Sequence, residues 1–429
     1  MPLDDPALSA SGGSRHIRTL DGIRGLAAIA VFLNHSTVIE GGFWLDTLFA
    51  RATFLNGCAP MLFLGMAGYL LTGILLRKKG KPHCLRDFYV RHALRIWPLY
   101  FAVMAMAMIV LPMFLPTRLL IYDHSGGPGW MYWTFMGNIS IAIDGIQKSK
   151  ILDVTWSLAV EEQFMLFWPL VVLFCSRKTV IRVCIAIAII STSIRIFMVL
   201  AEFNPVAIYV FTFGRLTSIA LGSLLAFYAH DERFLKRVRP AARYIGLWVI
   251  PLIWAVLAIE RHMGWSYEQG SIRSAGPLSR SVGDMIAAVG MLSFILCGLT
   301  TNPGSRLFAV LTFKPLTFIG KYSYGLFLFH VGIIWLVRSV IYRPPGLQGE
   351  YSSLFHFQGI GSSYLLDQLL FMSLTFGISL GLSIASYHLY EVHFLKLKKY
   401  FNYGAPYASP AKATQGPDLS ARPNMTVAH

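Results

Sequence analysis

Apolar residues run along this chain in long blocks separated by short polar and basic clusters, with no alternating, strand-like pattern. Blocks of about 20 residues, the length an α-helix needs to cross a bilayer, fall at 22–39, 57–76, 96–115, 156–175, 181–200, 207–228, 244–260, 282–300, 317–339 and 365–389. The pattern predicts an all-α, polytopic membrane helix bundle of about ten transmembrane spans. It divides the chain into a cytoplasmic N-terminal segment at 1–21, a transmembrane domain at 22–395 and a cytoplasmic tail at 396–429. The end of that tail, rich in Pro, Ala, Ser and Gly, is expected to be disordered.

The first block carries two polar residues that matter. Arg24 stands at its entrance and His35 lies eleven residues further on. At about 100° per residue, eleven steps return a helical side chain to nearly the same azimuth, so the two share one face. The rise of about 1.5 Å per residue separates them by roughly 16 Å. With Arg24 at a membrane surface, His35 is near mid-depth.

Composition agrees with a membrane protein: 55% of residues are hydrophobic and 14% charged. The net charge of +16 does not indicate nucleic-acid binding, because Lys and Arg collect on alternate connections, at 77–95, 177–182, 233–243 and 396–399. That is the positive-inside pattern, and it places both termini in the cytoplasm. The five cysteines contain no CxxC pair, so neither a disulfide framework nor a metal site is expected. The first block lacks a small-residue cleavage site and reads as a retained span.

Polar and ionisable groups inside apolar spans are costly, so each is a candidate for chemistry. His35, flanked by Asn34 and Ser36, suits a general base, the alternative being an imidazole satisfied by a neighbouring helix. Arg91 and Arg95 sit at i, i+4 and point to one side; they form either a clamp for an anionic ligand or a topology signal snorkelling to lipid phosphates. Glu161 and Glu162, about one turn into a span, face different directions and await partners, in a catalytic or a structural ion pair. Arg195 reads as snorkelling, and Arg215 as either a site or a packing residue. In GKYSYGLFLFH and SYHLYEVHF, most Tyr and His residues read as interfacial anchors, whereas His330 lies deeper.

In sequence order, LDGIRGLAAIAVFLNH, FYVRHALRIWPLY, WSLAVEEQF, YSYGLFLFH and SYHLYEVHFL resemble the motifs of the integral-membrane acyltransferase 3 family over about residues 17–395. The resemblance implies an O-acyltransferase of the bacterial cytoplasmic membrane, with acetyl-CoA or another acyl-CoA as co-substrate and no metal. Its acceptor would be a hydroxyl of a sugar, glycan or glycosylated metabolite. Arg24, Arg91 and Arg95 would hold the CoA phosphates. His35 would take the acceptor's proton, Glu161 or Glu162 would fix its tautomer, and His330 and Tyr324 would share acid and base roles. Asn34, Trp156, Ser157 and Arg215 fall in or beside the matching motifs. The chain departs from the family pattern at His92, where an arginine is usual, at Ala67-Gly68, and at Thr217, where an aspartate is common. Two competing readings remain: a proton-coupled exporter using His35 and the glutamates as a relay, and an inactive interaction subunit.

Overall fold

The computed structural model describes residues 13–37, 49, 59–114, 129–146, 149, 151–229, 231–263, 276–340 and 365–403. The tail from 404 onward, for which the sequence predicts disorder, lies outside the described residues, as do most of the poorly charged connections used to assign orientation.

The described residues are helical. In chain order they form α1 (Gly13–Ser36), α2 (Ala59–Lys78), α3 (Cys84–Phe114), and the short α4 (Trp130–Trp133) and α5 (Gly137–Asp144). Then come α6 (Trp156–Phe174), α7 (Arg177–Leu200), α8 (Pro205–Val210) and α9 (Leu216–Ala226). The chain continues through α10 (Glu232–His262), α11 (Ser279–Thr300), α12 (Arg306–Leu311), α13 (Lys314–Val340) and α14 (Leu365–Tyr400). Seven of these, α2, α3, α6, α7, α11, α13 and α14, are long and apolar enough to cross a membrane. All ten apolar windows fall on helices; α1 and α10 are long but mix charged and apolar residues.

The window at 207–228 is not one continuous span. It divides into α8, a single 3-10 turn at Thr212–Gly214 and α9, which has only 11 residues. Ending α8 inside an apolar bundle frees carbonyls that have no water to bond. Three successive ones are met by side chains from elsewhere: Arg195 donates to the Ile208 carbonyl, the Arg215 Nε to that of Tyr209, and Asn138 to that of Val210. Apolarity fixed the burial of this segment, and long-range capping fixed its shape.

Arg195 also departs from expectation. It does not snorkel; it is buried and donates to the Ile208 and Arg280 carbonyls. Arg215 pairs with Asp284 on α11, and Arg195 stands 3.8 Å from the same carboxylate. The Arg215 guanidinium lies over the rings of Tyr209 and Trp156, at 4.1 and 5.3 Å from their centroids. Asp284 is thus the counter-ion of Arg215, which joins the start of α9 to α11 as part of the packing.

Among the described residues, helices meet backbone to backbone in several places. A Cβ on Gly68 would fall on the Ile219 carbonyl, and one on Gly222 on that of Gly65, so α2 and α9 cross with no side chain between them. An equally extensive contact joins α1 and α13. There a Cβ on Gly25 would strike the Leu316 carbonyl, and one on Gly320 that of Asp21. This close seam carries the candidate site.

Candidate active site

The seam of α1 and α13 brings together residues about 300 positions apart in sequence. Near one end, Arg24 is buried and donates to the Ser323 hydroxyl at 3.0 Å; its other amino nitrogen is 3.9 Å from Asp21, one turn back on α1. Near the other end, the rings of His35 and His330 meet edge to face with centroids 5.2 Å apart. The two pairs follow from the periodicity of each helix: eleven residues from Arg24 to His35 and seven from Ser323 to His330 both return to the same face. His35 is exposed, Asn34 beside it is half-buried, and His330 is buried.

An inner cavity of about 100 Å³ opens beside Arg24 and Ser323 and is lined also by His92, Arg95, Ser157, Glu161 and Tyr324, with apolar residues, most of them from α2, filling the remaining wall. A larger cavity of about 510 Å³ adjoins it, since Leu71, Ile74, His92, Arg95 and Tyr324 line both. The larger cavity is strongly basic: Arg91, Arg95, Lys321, Lys396, Lys398 and Lys399 face it, with Glu391 the acidic residue. The sequence assigned lysines 396–399 only to topology; folding brings them to the mouth formed by Arg91 and Arg95. Part of Arg91 is committed to the wall itself. Its guanidinium donates to the Lys398 and Phe401 carbonyls at 2.9 and 3.1 Å and lies over the Tyr403 ring. Asp87 accepts from the Tyr403 backbone N–H at 2.6 Å and completes the attachment of the α14 terminus to α3.

The adjacent glutamates separate as their helical positions require. Glu161 lines the inner cavity with Arg24 and Arg95. Glu162 points toward α3, where one oxygen lies 2.7 Å from His92 Nε2 and the other accepts from Trp97 at 3.0 Å. The unusual histidine at position 92 is therefore half of a buried acid–base pair. With both Glu162 oxygens engaged on α3, the ring that stands beside His35 is His330. Tyr324 donates its hydroxyl to the Ile96 carbonyl at 2.6 Å, tying α13 to α3 at the junction of the cavities. Trp156 packs on Tyr209 and Arg215 away from the seam.

Sequence reasoning passed over two polar residues. Asp284 balances Arg195 and Arg215, and Asn138 bonds the Val210 carbonyl and Thr212 while accepting from Gln163. Each is a lone polar residue in an apolar run, the same signal that singled out His35. No group of three or more potential metal ligands occurs among the described residues.

The chain as a whole has relatives. The peptidoglycan O-acetyltransferase OatA of Listeria monocytogenes is 25% identical over 343 residues, which cover 76% of this chain and 51% of that protein. The O-acetyltransferase OatA of Staphylococcus aureus is 25% identical over 341 residues, covering 76% and 52%. The chain thus spans about half the length of these relatives. No solved structure matches it. The family model of an acyltransferase domain matches residues 17–396, nearly the whole helical bundle and every residue of the seam, and the chain belongs to the acyltransferase 3 family.

Proposed function

We propose that the protein is a membrane O-acyltransferase that moves an acetyl group from acetyl-CoA to a glycan hydroxyl. The observation that carries this reading is the continuity of the basic cavity with the inner one, which reaches Arg24 on the helix face that it shares with His35. A ligand bearing several phosphates is suited to Arg95, Lys321, Lys396, Lys398 and Lys399, since their charge attracts it and the Arg fork matches phosphate oxygens. A long, uncharged arm ending in a thioester then runs past Tyr324 into a cavity whose wall is mostly apolar, with Arg24, His92, Arg95, Ser157, Glu161 and Ser323 as its other polar residues. His35 follows along the same face of α1, exposed to an incoming hydroxyl.

In the chemical step, a nitrogen of His35 removes the hydroxyl proton as the oxygen attacks the thioester carbonyl. The C–O bond forms, the C–S bond breaks, and the imidazolium returns the proton to the departing thiolate. That both relatives are O-acetyltransferases, the Listeria one of peptidoglycan, supports acetyl as the group and a cell-wall glycan as the acceptor class. A bacterial cytoplasmic membrane is the setting in which a cytosolic acyl-CoA meets such a glycan.

The exporter reading has one feature in its favour, the broken segment α8–α9, because interrupted helices often build transport sites. Here the freed carbonyls are already bonded by Arg195, Arg215 and Asn138, which leaves them closed to an ion. The test is release of free thiol from acetyl-CoA by the purified protein, with and without soluble peptidoglycan fragments. His35→Ala should lower turnover by about 100-fold or more. Equal turnover by wild type and variant would overturn the assignment.

A further inference from the structure

His330 carries an unusual arrangement of its two nitrogens. Nδ1 lies 2.7 Å from the Phe327 carbonyl and 3.1 Å from that of Leu326, both on its own helix. Carbonyl oxygens only accept, so Nδ1 must hold the proton. In the neutral ring, Nε2 is then a bare lone pair. That atom is buried and has no hydrogen-bond partner among the described residues, although buried polar atoms are nearly always paired. The ring of His35 stands beside that of His330, edge to face with centroids 5.2 Å apart. At that separation a modest ring rotation brings a nitrogen of each to about 3 Å, hydrogen-bonding distance.

We infer that His330 is a positioning residue, whose Nε2 accepts a hydrogen bond from a ring N–H of His35 and so fixes the His35 tautomer with its lone pair turned to the acceptor hydroxyl. This rests on the assignment of His35 as general base. The helix carbonyls lock the His330 tautomer, and His330 in turn locks that of His35. The reacting proton moves from the hydroxyl to His35 and on to the thiolate; His330 takes no proton at any stage. It thus fills the role that the sequence assigned to Glu161 or Glu162, of which Glu162 is held by His92 and Trp97.

The experiment compares His330→Leu, which removes the acceptor, with His330→Gln, which retains one, in the full-length protein with acetyl-CoA and soluble peptidoglycan fragments. His330→Leu should lower kcat by about 100-fold with little change in KM for acetyl-CoA. His330→Gln should recover most of that loss. The double variant His35→Ala, His330→Leu should be no slower than His35→Ala alone, because the two residues act as one unit. Melting temperatures of all variants, measured in parallel, separate loss of fold from loss of chemistry. A His330→Leu enzyme with wild-type kcat would overturn the inference while leaving His35 as the base, as would losses that multiply in the double variant. Wild-type turnover by His35→Ala would instead overturn the underlying assignment.

Discussion

Replacing Gly320 by alanine tests whether the closeness of α1 and α13 is what aligns the site. The added methyl would fall on the Asp21 carbonyl, with the Gly25 backbone nitrogen 3.2 Å away, and neither can rotate aside as a side chain can. The helices must part by on the order of 1 Å, a displacement that costs about 100-fold in rate when it separates groups that have to be aligned. Overpacking of this kind also destabilises by about 1–3 kcal/mol. Both effects act on the seam that holds Arg24 to Ser323 and His35 to His330. Gly377→Ala on α14 is the control, because its new methyl would meet no atom within 4 Å. Exchanging Gly for Ala inside a helix there should be neutral or favourable by up to about 1 kcal/mol. Thiol release from acetyl-CoA and thermal melting in detergent should show Gly320→Ala slow and less stable, and Gly377→Ala close to wild type. A Gly320→Ala protein that melts lower yet turns over like Gly377→Ala would refute the link between seam and chemistry.

Asp284→Asn should destabilise the fold by about 3–5 kcal/mol, the usual cost of stranding buried charge, since it leaves Arg195 and Arg215 facing each other without their shared carboxylate. A melting temperature within a degree or so of wild type would contradict this account of the packing. Arg95→Gln should raise KM for acetyl-CoA several-fold more than it lowers kcat, and salt should weaken donor binding further in the wild type than in the variant; kinetics at two ionic strengths decides this.

Much of the scaffold could be read from the chain, because its elements are specified locally. Apolar blocks of bilayer length became helices, and the spacing of Arg24 and His35 placed both on the face that meets α13. Partners across the bundle were harder to read. Nothing near His330 in sequence shows that its ring will stand beside His35, and nothing near His92 shows that it will take Glu162. Both pairings are set by how helices cross, the first through contacts of Gly25 and Gly320 with carbonyls of the facing helix. The broken segment was hidden for a related reason: Arg195, Arg215 and Asn138 make the interruption tolerable, and they come from three different elements. Arg195 looked like a surface anchor because its carbonyl and carboxylate partners lie 13 and more residues away.

The capped break between α8 and α9 also bears on how the protein is made. Asn138 and Arg195 have already been synthesised when residues 205–226 emerge from the ribosome, but Asp284 follows Arg215 by 69 residues. During that interval the membrane holds a short, interrupted segment whose cation has no counter-ion. The segment therefore settles only when α11 arrives, before α13 and α14 have been made.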